Sequence, residues 1–284
     1  MKQQKLKSIL EKLYRDYDFH GRIAKDPIEF PHRFGDARDI ELAGFIAACF
    51  AYGKVELFKS VLERLFAIMG GSPYRFLADF EIKKIRKKIG NLKYRFNETE
   101  DIVCLLYVLS VVIKKHGSIE AVFKKYFDPL EPTIFKGLNG MVGSFLDIDT
   151  SAVYGGNIRP SGFLQFLPSP RNGSACKRMN LFLRWMIRDT DIDFGTWKGI
   201  PKDRLVIPLD THIARISRCL GFTKRSGQDW KMAVEITEAL KRFDAVDPIK
   251  YDFALCHQGI SKACGAGKCG DCPFDAAGSG KQNQ

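Results

Sequence analysis

Two short stretches hold most of the residues whose types and spacing could do chemistry. The first, LPSPRNGSACKRMNLFLRW, sets a glycine-bearing turn at 173–175 before a helical pattern. The first amides of a helix lack intrahelical partners, so a turn of Gly173, Ser174 and Ala175 there suits a phosphate. Lys177 and Arg178 fall in the first helical turn; an ordinary helix start would look the same. The second stretch, IPLDTHIARISR, occupies 207–218. Asp210 stands where a helix would begin. It reads equally as an N-cap and as a carboxylate at the mouth of a cleft, with Arg215 and Arg218 near it for an anionic ligand. A lysine amine is a nucleophile once it is partly neutral, and a carboxylate can take its proton or stabilise developing positive charge.

A third group is made of thiols. Of eight cysteines, four lie within seventeen residues, as Cys256-x7-Cys264-x4-Cys269-x2-Cys272. That density suggests a tetrahedral four-sulfur site for zinc or a [4Fe–4S] cluster. Gly265, Gly267 and Gly270 let the chain fold tightly around a metal, and Lys262 and Lys268 offset thiolate charge. Cys49 and Cys104 lie in apolar periodic segments and read as buried thiols.

The elements that must position these groups read as helices, since no segment alternates with period two. The chain has 284 residues, 45% of them hydrophobic, enough for one large domain or two modest ones. An all-α, two-lobed fold is expected. Residues 1–127 would form one helical lobe and 128–172, dense in glycine and proline, a crossover. Residues 173–255 would form the lobe of the two chemical motifs, 256–273 the metal loop and 274–284 a loose tail. Expected helix starts are Asp39, Thr99, Ser118 and a capping box from Ser226 to Asp229. Residues 81–95 carry an apolar stripe, Ile82, Ile85, Ile89 and Leu92, beneath a basic face that suits phosphates or plain solvation. The formal net charge of +12 favours a polyanionic partner. No continuous apolar run opens the chain and no stretch of eighteen apolar residues occurs. Neither export nor a membrane span is expected, and the expected location is the cytoplasm.

Together, the two motifs resemble those of the helix-hairpin-helix base-excision DNA glycosylases, the endonuclease III superfamily. Gly173 and Ala175 fall at the hairpin glycines, Lys177 at the catalytic lysine, and Asn180 to Leu183 at the asparagine and apolar run. Leu209, Asp210, Thr211, His212 and Arg215 match the second motif, and Cys219, Leu220 and Gly221 end it. The likeness implies a helix-hairpin-helix, a lysine that attacks the sugar C1′ and an aspartate that assists. It also implies DNA contacts from Gly173, Ser174, Ala175, Arg178, Thr211, Arg215 and Arg218. The partner implied is double-stranded DNA with a damaged or mismatched base, met at the nucleoid by a monomer. A residue that fills the gap left by the extruded base is also implied, with Gln165 and Tyr52 as candidates. The likeness favours [4Fe–4S] over zinc, with Cys264, Cys269 and Cys272 as three ligands and Cys256 as the fourth. The chain departs from the family in one respect: Lys177 and Asp210 are 33 residues apart, and DTDIDFGTWKGIPKDR reads as an insertion between them. Closer still, the blocks AYG, GSACKR and PLDTH are similar to those of a set of bacterial proteins of unknown function.

Two other classes fit the same features. One is a non-catalytic binder of DNA or structured RNA, gripping phosphates with the hairpin and the basic face. The other is a metal-stabilised protein-interaction scaffold.

Overall fold

The computed structural model describes residues 2–260 and residue 274. Among them the fold is all-α. The helices are α1 (Lys2–Arg15), α2 (Ala37–Phe50), α3 (Val55–Met69), α4 (Pro73–Ala78), α5 (Ile82–Ile89), α6 (Thr99–His116) and α7 (Ile119–Tyr126). They continue as α8 (Phe135–Leu146), α9 (Ser151–Tyr154), α10 (Ser161–Phe166), α11 (Lys177–Ile187), α12 (Thr211–Cys219), α13 (Trp230–Lys241) and α14 (Asp252–Ile260). Strand-like pairing among the described residues is limited to isolated bridges, Tyr94 with Asn97 and Ser174 with Asp229. No single described helix is long and apolar enough to cross a membrane.

Helix α2 is the centre of the core because every residue from Asp39 to Phe50 is buried. It lies against α11, and Gly44 lets the two approach: a Cβ there would stand 3.1 Å from Met186 Cε. Phe45 meets the Phe182 ring edge-on at 5.1 Å, an arrangement that suits the charge distribution of aromatic rings. One contiguous hydrophobic cluster runs from Leu10 through these helices to Phe253 and Phe274. Phe274, placed by the sequence in a loose tail, is buried.

The expected crossover at 128–172 carries three helices, α8, α9 and α10. Its glycines act there by having no side chain. A Cβ on Gly137 would stand 2.6 Å from the Phe123 ring, and one on Gly140 2.1 Å from Tyr126, so α8 can lie flat on α7 only with glycine at both positions.

Three helix starts differ from expectation. Asp36, not Asp39, caps α2; Asp39 is buried one turn in and accepts from the Ser72 hydroxyl (2.7 Å) and the Tyr74 amide (2.8 Å). Glu98 and Asp101 form the capping box of α6, while the Thr99 hydroxyl donates to the Leu92 carbonyl. Asp229 itself caps α13. Ser118 caps α7 as expected.

Candidate active site

Asp210 is the N-cap of α12. Its Oδ1 accepts the amides of His212 (2.9 Å) and Ile213 (2.8 Å), which fixes the carboxylate in one orientation. The other oxygen, Oδ2, stands 3.4 Å from Lys177 Nζ and 3.5 Å from Cys256 Sγ. The Asp210 side chain is 15% exposed and that of Lys177 41%, so the pair opens to solvent on the lysine side. Burial pushes the Asp210 carboxyl up. The Lys177 charge, the Ile213 amide and the Cys256 thiol outweigh it, and the group lies below its ordinary value.

The insertion does not separate lysine from aspartate because buried charge folds it back. Arg184 and Arg188, near the C-terminal end of α11, have fully buried side chains, as does Asp193 in the insertion. Asp193 bridges both arginines. Arg184 also holds Asp252 of α14 at 2.6 Å, and Arg188 holds Asp191 at 3.0 Å and Asp247 at 2.9 Å. Phe194 and Trp197 donate their amides to the Trp185 and Met186 carbonyls, both at 2.8 Å. The Trp197 indole donates to Glu41 of α2 at 2.9 Å. Past the insertion, buried Ile207 donates its amide to Thr237 of α13 (3.0 Å), and Leu209, also buried, leads into Asp210.

The turn before α11 is held from within. Gly173 takes a left-handed turn at φ +78, and Cys176, the residue before Lys177, takes one at φ +49, a conformation that costs a side-chain-bearing residue energy. The Cys176 amide donates to Ser174 Oγ (3.1 Å) and its thiol to the Pro168 carbonyl (3.4 Å). Trp230 donates to the Gly173 carbonyl at 3.1 Å, and Asn180 reaches back to the Ala175 carbonyl at 3.0 Å. The Gly173 amide itself donates to the Pro170 carbonyl at 3.0 Å, so it is not the open phosphate donor that the turn suggested.

Two arginines predicted to contact DNA are otherwise engaged. Arg178 turns inward, donating to the Cys49 carbonyl (2.5 Å) and to that of Gln165, with its guanidinium 5.0 Å from the centre of the Tyr52 ring. Adjacent residues on a helix point about 100° apart, so Lys177 and Arg178 serve different sides of α11. Arg218 spans to the carbonyls of Arg225 (2.8 Å) and Ser226 (2.7 Å) and braces the loop after α12. Thr211 is exposed; Ser174, Ala175 and Arg215 are half-buried.

Cys256 faces Asp210. Burial, with the Asp210 and Asp252 carboxylates beside it, pushes the thiol well above its ordinary value and keeps it protonated. As placed, the Cys256 thiol is a hydrogen-bond donor to Asp210 Oδ2. Cys264, Cys269 and Cys272 lie outside the described residues.

The sequence reading missed two acids of this region. Asp252 begins α14, and burial pushes it up to about 6 against the pull of Arg184. Asp26 caps the short turn before Phe30 by accepting the Ile28 amide (3.0 Å), and burial likewise pushes it up to about 6 while Arg184 and Lys177 pull it down. Nothing local marks Asp26, which feels the Lys177 charge only through the fold.

No curated protein and no solved structure matches the chain. Residues 26–261, from Asp26 to just beyond α14, match the model of a family described as protein of unknown function (DUF2400), and the chain belongs to that family.

Proposed function

We propose that the chain is a DNA N-glycosylase that can also act as a lyase, with Lys177 as nucleophile and Asp210 as its base. The observation that carries this reading is the 3.4 Å approach of Lys177 Nζ to Asp210 Oδ2, across an insertion that buried ion pairs fold out of the way. In the reaction the C1′–N bond breaks and its electron pair leaves with the base. Lys177 Nζ bonds to C1′, and Asp210 accepts the proton that nitrogen gives up. The carboxylate, fixed by two amides and below its ordinary value, is charged at neutral pH and stabilises the positive charge that builds on the sugar. The strained backbone at Cys176 aims the first turn of α11, and so the lysine, at that oxygen.

The substrate class is double-stranded DNA with a damaged or mismatched base, met by a monomer at the nucleoid. The net charge of +12 and the motif resemblance support it. The base must leave the helix stack to reach C1′. The cysteine run fits a structural centre, [4Fe–4S] or zinc, that braces the C-terminal loop. No step passes through it.

Borohydride trapping tests this reading on a panel of oxidised, alkylated, deaminated and mismatched duplexes. Wild type should form a covalent adduct with at least one. Asp210→Asn should keep DNA affinity and lose base release by about 10²-fold or more, because the carboxylate acts on charge that exists only in the transition state. Free base without an adduct would mean water is the nucleophile. Binding with neither would leave a non-catalytic binder, and no binding would overturn the reading.

A further inference from the structure

A cavity of about 800 Å³ opens between the start of α2, the end of α3, α4 and α5. Small ligands fill cavities of about 300–1,000 Å³. None of the residues lining it belongs to the Lys177–Asp210 site. The first turn of α11 touches α2 at Cys49, through Arg178, whereas Asp39 lines the cavity about 15 Å back along the same helix.

The floor of the cavity is apolar and its rim is cationic. Met69 and Ile85 are buried, and Ile68 and Phe76 are half-buried beside them. Arg38, Arg75, Lys84 and Lys88 are exposed at the rim. Lys84 and Lys88 stand one turn apart on α5 and so share a face. Three carboxylates also line the cavity, but two of them hold its walls. Asp36 grips the Arg38 guanidinium at 3.0 and 3.1 Å, and that group lies 4.5 Å from the Tyr74 ring centre. Asp39 accepts the Ser72 hydroxyl and the Tyr74 amide, which ties the start of α4 to α2. The third, Asp79, is exposed just past α4. Lys84 meets Glu81 only at 4.0 Å, and among the described residues no carboxylate lies within ion-pair reach of Arg75 or Lys88.

The glycine pair at the cavity wall divides in its needs. Gly70 ends α3 at φ +71, a conformation that favours glycine. Gly71 lies outside the left-handed region, and a Cβ there would meet nothing within 4 Å. Neither backbone nor packing asks for glycine at 71. Its missing side chain leaves the cavity clear.

We propose that this cavity binds a nucleoside phosphate. The phosphate lies among Arg75, Lys84 and Lys88, the cations short of acids, and the base packs on Phe76 and Met69. A bare anion would use the rim and leave the apolar floor wet. A duplex backbone would meet the rim without entering. A small molecule with a phosphate at one end and a planar ring at the other uses both.

The site shares no residue with the proposed glycosylase centre, so either can fail alone. Isothermal titration of the full chain with AMP, ADP, adenosine and inorganic phosphate tests it. Wild type should bind AMP or ADP about tenfold or more tightly than adenosine or phosphate, because each of these lacks one half of the fit. Gly71→Leu should abolish nucleotide binding and leave the melting temperature unchanged, since its side chain enters open space. Arg75→Gln combined with Lys88→Gln should weaken the nucleotide by about tenfold or more. Lys177→Gln should bind it as wild type does. If neither AMP nor ADP binds at about 1 mM, or phosphate binds as tightly as AMP, the proposal is overturned. Nucleotide affinity unchanged in Gly71→Leu and in the Arg75, Lys88 double variant also overturns it. If the double variant weakens duplex DNA while no nucleotide binds, these cations belong to a DNA surface, and the DNA reading stands without this site.

Discussion

The two ends of α11 carry cations in opposite states. At the start, Lys177 is 41% exposed and meets one carboxylate at 3.4 Å, with solvent on its other side. Near the end, Arg184 and Arg188 are fully buried and share Asp193, with Asp191, Asp247 and Asp252 around them. One helix therefore leaves a charge open to solvent at one end and uses charge as a fastener at the other. The difference lies in what surrounds each group. A buried guanidinium without its acids would be an uncompensated charge in a low-dielectric interior, so it fixes the chain segments that supply those acids. A half-exposed amine loses little when its partner leaves, and that leaves it free to act. The fastener is what lets 32 residues intervene between Lys177 and Asp210 without parting them.

The sharpest way to break this contrast is at the buried end. Arg188→Met removes one charge and leaves Asp193, Asp191 and Asp247 short of a partner. Stability should fall by about 3–5 kcal/mol, the usual consequence of halving a buried pair. Chemical denaturation measures it. A loss under about 1 kcal/mol, the range of exposed pairs, would mean that water already reaches the cluster and that it does not hold the insertion.

A smaller effect is expected where the insertion meets α2. Glu41 accepts the amides of Ile119 (2.8 Å) and Glu120 (2.9 Å) and the Trp197 indole (2.9 Å). Burial pushes its carboxyl up from 4.5 to about 7, against those bonds. The folded chain then holds a proton that the unfolded chain releases, so the contribution to stability is greatest at low pH. It declines as pH rises from about 4.5 to about 7 and is level above. Glu41→Gln should remove that window and cost about 1–3 kcal/mol, because its amide NH₂ must face an N–H donor whichever way it turns. Asp26 and Asp252, each pushed up to about 6, contribute with the same sign. The measurement is therefore the difference between variant and wild type across pH 4–8. Parallel curves would place the titration elsewhere.

What the sequence disclosed follows the range of the forces involved. Asp210 as a cap was legible because capping joins residues two or three apart, and its orientation then follows. The all-α class was legible from periodicity. Asp39 and Thr99 were misplaced as caps because each has a tertiary partner, in α4 and before α6, that draws it into the structure. Arg178 was read as a DNA contact from its position in the first turn, although the direction of its side chain is set by α2 and α10, unseen from that stretch. The insertion read as polar loop because alternating acids look solvated. Only the burial of Arg184 and Arg188, on a helix whose pattern gave no sign of it, turns those acids into anchors. Glycine in 128–172 was taken as loop when the need was for flat contact between α7 and α8.

The smallest stability effect, and the most informative contrast, is expected at the open end of α11. Lys177→Gln removes a cation from the same helix as Arg188→Met, so propensity and length are unchanged. Its pair is partly solvent-exposed, so screening limits the loss to about 0–1 kcal/mol. Asp210 keeps its two amide donors, which hold its orientation without the lysine. The folded state should therefore melt within a few degrees of wild type while the borohydride-trapped adduct disappears. An adduct that survives would put the nucleophile on another lysine. A large loss of stability would show that Lys177, like Arg188, fastens the fold, and the two ends of the helix would no longer differ in kind.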